Sequence, residues 1–256
     1  MNKKTVNQII FSVSCVVFII CAIILFKMFM PEKDTTSIYK NEFQSTVASA
    51  STEETEIQLP DNPIDFASLK ETNQDVYSWI EIPDTNVDYP VVQAGKDNDD
   101  LFYLDHNINK EYEFAGMIFS QKKNSKNYSD PVTVLYGHDM RNGSMFKDLH
   151  KFEDKEFFDT HDTIYIYTPG HILTYKIISA YVYDNRHILN TFNFSEKKDI
   201  KEYFNSIKEP KSMTSNVREG VSLTVDDKVL TLSTCTSSDS QRFLVQGVLT
   251  NDEPTK

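Results

Sequence analysis

From Trp79 onward the chain breaks into eight short runs rich in β-branched and aromatic residues. They are WIEI at 79–82, VDYPVV at 87–92, AGMIFS at 115–120, PVTVLYG at 131–137, TIYIYT at 163–168, ILTYKIISAYVY at 172–183, KVLTLSTC at 228–235 and RFLVQGVLT at 242–250. Gly, Pro, Asn and Asp bound them. Runs of this length and composition read as strands. Many short strands with few helices can bury their apolar faces in few ways. The reading is a mainly β fold, a closed or nearly closed barrel with peripheral helices. Residues 65–79 carry Phe66, Leu69, Val76 and Trp79 at helical spacing, with a break near Thr72-Asn73. Further helical patches fall at 144–159 and 195–208, the second with Ser195 as N-cap. Periodicity leaves the strand order open.

The other strong feature is at the N-terminus. Residues 9–26 read IIFSVSCVVFIICAIILF, uncharged and mostly apolar, a length close to the ~20 residues that cross a bilayer. Lys3 and Lys4 precede the run, and Glu32 and Asp34 follow it. The basic side predicts a cytoplasmic N-terminus and a chain outside the membrane. A cleaved signal peptide is the competing reading, but Phe26 to Pro31 lack the small residues a cleavage site needs. The expected organisation is a cytoplasmic N-terminus at 1–8, a transmembrane signal anchor at 9–30, a Ser/Thr/Glu-rich flexible extracytoplasmic stalk at 31–61, and a folded domain at 62–256. The expected localisation is the cell membrane, single-pass.

Charge narrows the function classes. The net charge is −12, and every Asp and Glu lies beyond residue 30. A domain so acidic lacks the clustered Lys and Arg that phosphate contact requires, so nucleic acid is not an expected partner. There is no Gly-rich phosphate loop, and the six histidines form no HExxH or Cys/His signature. No metal or cofactor is implied.

Of three cysteines, Cys15 and Cys21 fall inside the apolar run and Cys235 stands alone beyond it. An unpaired thiol outside the cell points to an intermolecular bond or a reactive group. Cys235 ends a strand-like run, and a polar loop carries the chain to Arg242, which opens the next strand. If those strands pair as a hairpin, Cys235 and Arg242 face each other at one end of the sheet. A thiol needs a basic or cationic neighbour to act as a nucleophile, and a guanidinium offers forked donors to an oxyanion. His138 follows the strand-like run 131–136 and Gly137, so it too sits at a strand mouth, where an imidazole can carry a proton. His106, His150, His161, His171 and His187 read as surface residues.

TLSTC at 231–235 followed by Arg242, with LYGHDM at 135–140, resembles the sortase family. The run WIEIPDTNVDYPVVQAGKDNDDLFYLDH at 79–106, AGMIFS at 115–120 and YGHDMRNGSMFKDL at 136–149 resemble class B sortases in particular. The resemblance covers about 62–250. It implies an eight-stranded sortase-type β-barrel with N-terminal helices and a helix in the long connection between strands 6 and 7. It places the family's nucleophile on Cys235, its proton carrier on His138 and its oxyanion-stabilising arginine on Arg242. It implies cleavage of a C-terminal sorting motif after Thr, a thioacyl-enzyme, and transfer of the secreted protein to an amine of the peptidoglycan precursor. Ser233, two residues before Cys235 on the same strand face, and Tyr183 are expected substrate contacts. A thiol hydrolase using water, and a non-enzymatic surface binding domain, are the alternatives.

Overall fold

The computed structural model describes residues 59–238 and 240–256. Nine strands form one sheet: β1 Val76–Glu81, β2 Asp88–Gln93, β3 Ile118–Ser120, β4 Val132–Tyr136, β5 Thr163–Thr168, β6 His171–Asp184, β7 Ser215–Val217, β8 Val229–Cys235 and β9 Gln241–Pro254. The sheet order is β5-β1-β2-β3-β4-β8-β9-β6, and β5 pairs with β6 to close a barrel of eight strands. Strand β7 pairs outside that ring with Ser179–Tyr181 of β6. Two neighbour pairs, β2/β3 and β4/β8, run parallel and the others antiparallel. The chain is thus mainly β, with helices on its periphery.

The burial of β6 explains its length. Its first half alternates between exposed and buried residues, so one face meets water, while Ile177 to Tyr181 are buried on both faces. Register shifts at Thr174/Tyr175 and Ile177/Ser179 bend the strand between these two environments. Inside the barrel, Trp79, Tyr89, Phe119, Phe146, Phe158, Ile166 and Phe243 form the main core. Outside it, helix α4 (Lys197–Lys208) lays Ile200, Tyr203, Phe204 and Ile207 on Val132, Val134, Ile178, Val229 and Leu244. The Tyr203 and Thr231 hydroxyls meet at 2.8 Å under that helix. Alternation along β8 then sends Val229, Thr231, Ser233 and Cys235 to the outer face, and Leu230, Leu232 and Thr234 inward.

Several local expectations change. The N-terminal helical patch shortens to α1, Phe66–Thr72, started by Asp65 accepting from the Ser68 amide at 3.1 Å. Among the described residues it is one α-helix before the barrel, not several. Val76 and Trp79 belong to β1, which is buried on both faces and therefore has no period-2 signature. The 144–159 patch is a 3-10 helix, Lys147–Glu153, and a separate helix α2, Lys155–Thr160, begun by Asp154 accepting from the Phe157 amide at 2.8 Å. Helix α3, Ile188–Thr191, lies between β6 and α4. Helix α4 starts at Lys197 with Glu196 at the cap position and no side-chain cap bond, so Ser195 does not cap it.

The expected membrane placement is corrected. No helix among the described residues is long and apolar enough to cross a membrane. The longest, α4, has 12 residues, spans about 18 Å, and spends its one apolar face on the sheet. The apolar run at 9–30 and the stretch at 31–58 lie outside the described residues.

Candidate active site

The outer face of β8 is roofed by α4 as far as Thr231, and beyond it Cys235 emerges as an exposed free thiol on the last residue of the strand. In the β8/β9 pairing, Cys235 stands opposite Arg242. In the β9/β6 pairing, Arg242 stands opposite Tyr183. One rung of the sheet therefore reads Cys235, Arg242, Tyr183, with neighbouring strands about 4.8 Å apart. The Arg242 guanidinium donates to the Gln241 carbonyl at 2.7 Å.

His138 reaches the same end from the other side. Strands β4 and β8 are parallel with Tyr136 against Ser233. The Gly137 amide donates to the Ser233 carbonyl at 3.2 Å, and the Thr234 hydroxyl donates to the Gly137 carbonyl at 2.8 Å. Continuing that register by two residues sets His138 beside Cys235. Gly137 is needed for this approach: a Cβ there would lie 2.5 Å from the Ile118 methyl and 2.8 Å from the Phe146 ring. The imidazole stacks on Phe114 at 5.1 Å, and its Nε2 donates to the Leu104 carbonyl at 2.8 Å. In this rotamer Nδ1 is the proton-accepting nitrogen. Leu104 and Phe114, beside the ring, leave large apolar surfaces exposed.

Ser233 is buried between Tyr136 and Leu244 across the sheet, on the same face as the thiol and one pleat below it. Tyr183 is two strands from Cys235. It borders a cleft of about 890 Å³ shared with Tyr181, Glu202, Met213 and Gln241. Burial pushes its phenol above the usual value, and the Arg186 guanidinium sits 5.4 Å from its ring centre.

Three residues escape the sequence reading. The Tyr136 hydroxyl and His187 Nδ1 are buried polar atoms with no hydrogen-bond partner, on rings 6.2 Å apart. Burial pushes the Tyr136 phenol upward and the His187 imidazole downward, so both favour the neutral form. His150 donates from Nε2 to the Cys235 carbonyl at 3.0 Å. Tyr136 has a local signal, since it lies two residues before His138. His187 and His150 come from distant segments and have none. Among the described residues, no cluster of His, Cys, Asp and Glu could hold a metal ion.

The chain is similar to known proteins over most of its described residues. The family model described as "Sortase domain" matches residues 80–250. Sortase B of Listeria monocytogenes is 37% identical over 191 residues, covering 72% of this chain and 74% of the relative. The crystal structure of Clostridium perfringens sortase B superposes with a TM-score of 0.65 at 36% identity, covering 73% of this chain and all of that one. Sortase B of Bacillus anthracis gives a TM-score of 0.67 at 29% identity, covering 84% and 92%. The chain belongs to the sortase family of cysteine transpeptidases, and within it to class B.

Proposed function

We propose that this transpeptidase cleaves a C-terminal sorting motif after its Thr and joins the secreted protein to an amine of the peptidoglycan precursor, through a thioacyl bond to Cys235. The observation that carries the reading is one rung: Cys235 opposite Arg242, with His138 continuing the adjacent parallel strand. In the first half-reaction His138 takes the Cys235 thiol proton as the sulfur bonds to the Thr carbonyl carbon. The carbonyl oxygen becomes an oxyanion that accepts from the Arg242 guanidinium. Its collapse breaks the C–N bond, and His138 supplies the proton that the departing amine needs. In the second half-reaction an incoming amine attacks the thioester, His138 takes its proton, and the sulfur leaves. An amide replaces an amide, with no net redox change.

The peptide's approach follows from the unpartnered atoms. Tyr136, His187 and Ser233 line the outer face below the thiol, and a peptide backbone brings the donors and acceptors that the first two lack. Leu104 and Phe114 offer apolar contact on the His138 side. Tyr183, beyond Arg242, is a more distant contact.

The experiment incubates residues 59–256 with sorting-motif peptides, with and without an amine acceptor, and reads products by mass. Amide product with the amine present, a covalent adduct on Cys235, and loss of both in Cys235→Ala are expected. Hydrolysis alone in saturating amine would favour the thiol-hydrolase reading. Full turnover by Cys235→Ala would remove the assignment.

A further inference from the structure

We infer that His150 is a positioning residue that holds the three reactive groups in mutual register. The proposal rests on the transpeptidase reading above. His150 sits in the 3-10 helix Lys147–Glu153, outside all three strands that carry the site. Its side chain reaches β8, β9 and the loop that follows β4. Nε2 donates to the carbonyl of Cys235 itself at 3.0 Å. The ring stacks on Phe243, the neighbour of Arg242, with centroids 4.9 Å apart and planes 24° apart. The same Nε2 lies 3.6 Å from the carboxylate of Asp139, the neighbour of His138.

The platform beneath the ring is fixed from both sides. The Asn216 amide donates to the Phe152 and Glu153 carbonyls at 2.8 and 3.0 Å, which ties the helix end to β7. Asp148 accepts from the Asn86 amide at 2.8 Å, which ties the helix to the β1–β2 turn. Nδ1 of His150 meets Glu153 at 2.5 Å, so the ring cannot turn without breaking that contact. Both ring nitrogens thus have a polar partner. Glu153, Asp139 and, through Asp139, Lys147 at 3.0 Å are the charged groups around it.

The Cys235 carbonyl begins the polar loop that runs to Arg242. Pinning that carbonyl fixes both the thiol's peptide plane and the start of the turn that returns the guanidinium. Cys235 is the exposed last residue of its strand, paired with Arg242 on β9. A reacting atom displaced by about 1 Å costs up to roughly a hundredfold in rate.

Two variants of residues 59–256 test this. His150→Phe keeps the stack on Phe243 and removes both polar contacts. His150→Gln keeps a donor near the Nε2 position. His150→Phe is expected to lower kcat for peptide cleavage by about tenfold or more while leaving KM within about twofold. It is expected to slow iodoacetamide alkylation of Cys235 and to leave Tm within about 2 °C. His150→Gln should recover kcat to within about threefold of the parent. Parental kcat and alkylation in His150→Phe would overturn the proposal. So would equal impairment in His150→Gln, or a kcat loss matched by a fall in Tm. If the parent protein itself leaves the peptide uncut, the transpeptidase reading fails, and the alkylation ratio alone decides the role of His150.

Discussion

The barrel has two parallel strand pairs, and their carboxyl ends differ. At the end of β2/β3, Gln93 pairs with Ser120, and the buried side-chain polar atoms of Gln93, Ser120, Tyr77 and Asn124 all have partners. The Gln93 amide donates to the Gln121 and Asn124 carbonyls at 3.0 and 2.9 Å, and the Tyr77 hydroxyl donates to Ser120 at 2.8 Å. At the end of β4/β8, Tyr136 pairs with Ser233, and the buried Tyr136 hydroxyl and His187 Nδ1 have no partner. Two strand ends of the same hand are thus put to opposite uses. A buried polar group without a partner costs stability, and a fold retains that cost where a ligand supplies the partner. The satisfied end holds the barrel together, and on the proposed function the unsatisfied end is where a substrate completes it.

That contrast can be broken or sharpened by mutation. The largest effect is expected at the open end. Arg242→Gln removes the cation facing Cys235 and should lower kcat by about 10²–10³-fold, with Tm within about 2 °C of the parent. Steady-state peptide cleavage and a thermal melt read both, and a parental kcat would move oxyanion stabilisation to another group. The next effect belongs to the closed end. Gln93→Ala takes the side-chain donor from the Asn124 carbonyl, while the Gln121 carbonyl keeps the Asn124 backbone amide, and should cost about 1–3 kcal/mol in chemical denaturation while leaving kcat unchanged. A large activity loss at full stability would erase the contrast.

A smaller effect concerns acid. Asp75, whose carbonyl accepts from the Gln93 amide at 3.1 Å, belongs to the closed end. Burial alone would raise its carboxyl. The Tyr103 hydroxyl at 2.7 Å and the Lys110 ammonium at 2.9 Å outweigh burial and hold it below the ordinary 3.8. A carboxyl depressed in the folded state stabilises fully above its unfolded value. That contribution is lost as pH falls from about 3.8 through the folded value. Asp75→Asn should therefore be less stable at neutral pH by about 1 kcal/mol and flatter in its acid limb. Parallel parent and variant limbs below pH 4 would contradict this. The smallest effect returns to the open end. Tyr136→Phe removes a hydroxyl that bonds to nothing, so stability should hold or rise by up to about 1 kcal/mol while peptide KM rises about threefold. A clear loss of stability would mean that the hydroxyl is structural.

Legibility followed the range of the interaction. TIYIYT at 163–168 is the β5 strand as observed, because its outer face meets water and the alternation survives. Cys235 and Arg242 were readable as opposite residues because a hairpin is local. β1 was partly misread because burial on both faces erases its period, leaving Val76 and Trp79 at a helix-like spacing. His138 is joined to Cys235 by a parallel contact between segments far apart, which no local pattern encodes: its strand-mouth position marked it as a proton carrier, and its pairing with the thiol entered through resemblance. His150 was dismissed as a surface residue. Its bond to the Cys235 carbonyl spans 85 positions and leaves no trace in spacing.

The parallel seam between β4 and β8 has one more consequence. Thr234 and Gly137, which bond across it, are 97 residues apart. Contacts of such separation are slow to form, because a long loop must be closed before they can stabilise anything. Until the seam forms, His138 has no thiol beside it. On the proposed mechanism a half-folded chain is therefore chemically silent: activity waits on one of the longest-range contacts in the barrel, and the seam serves as a built-in check that folding is complete.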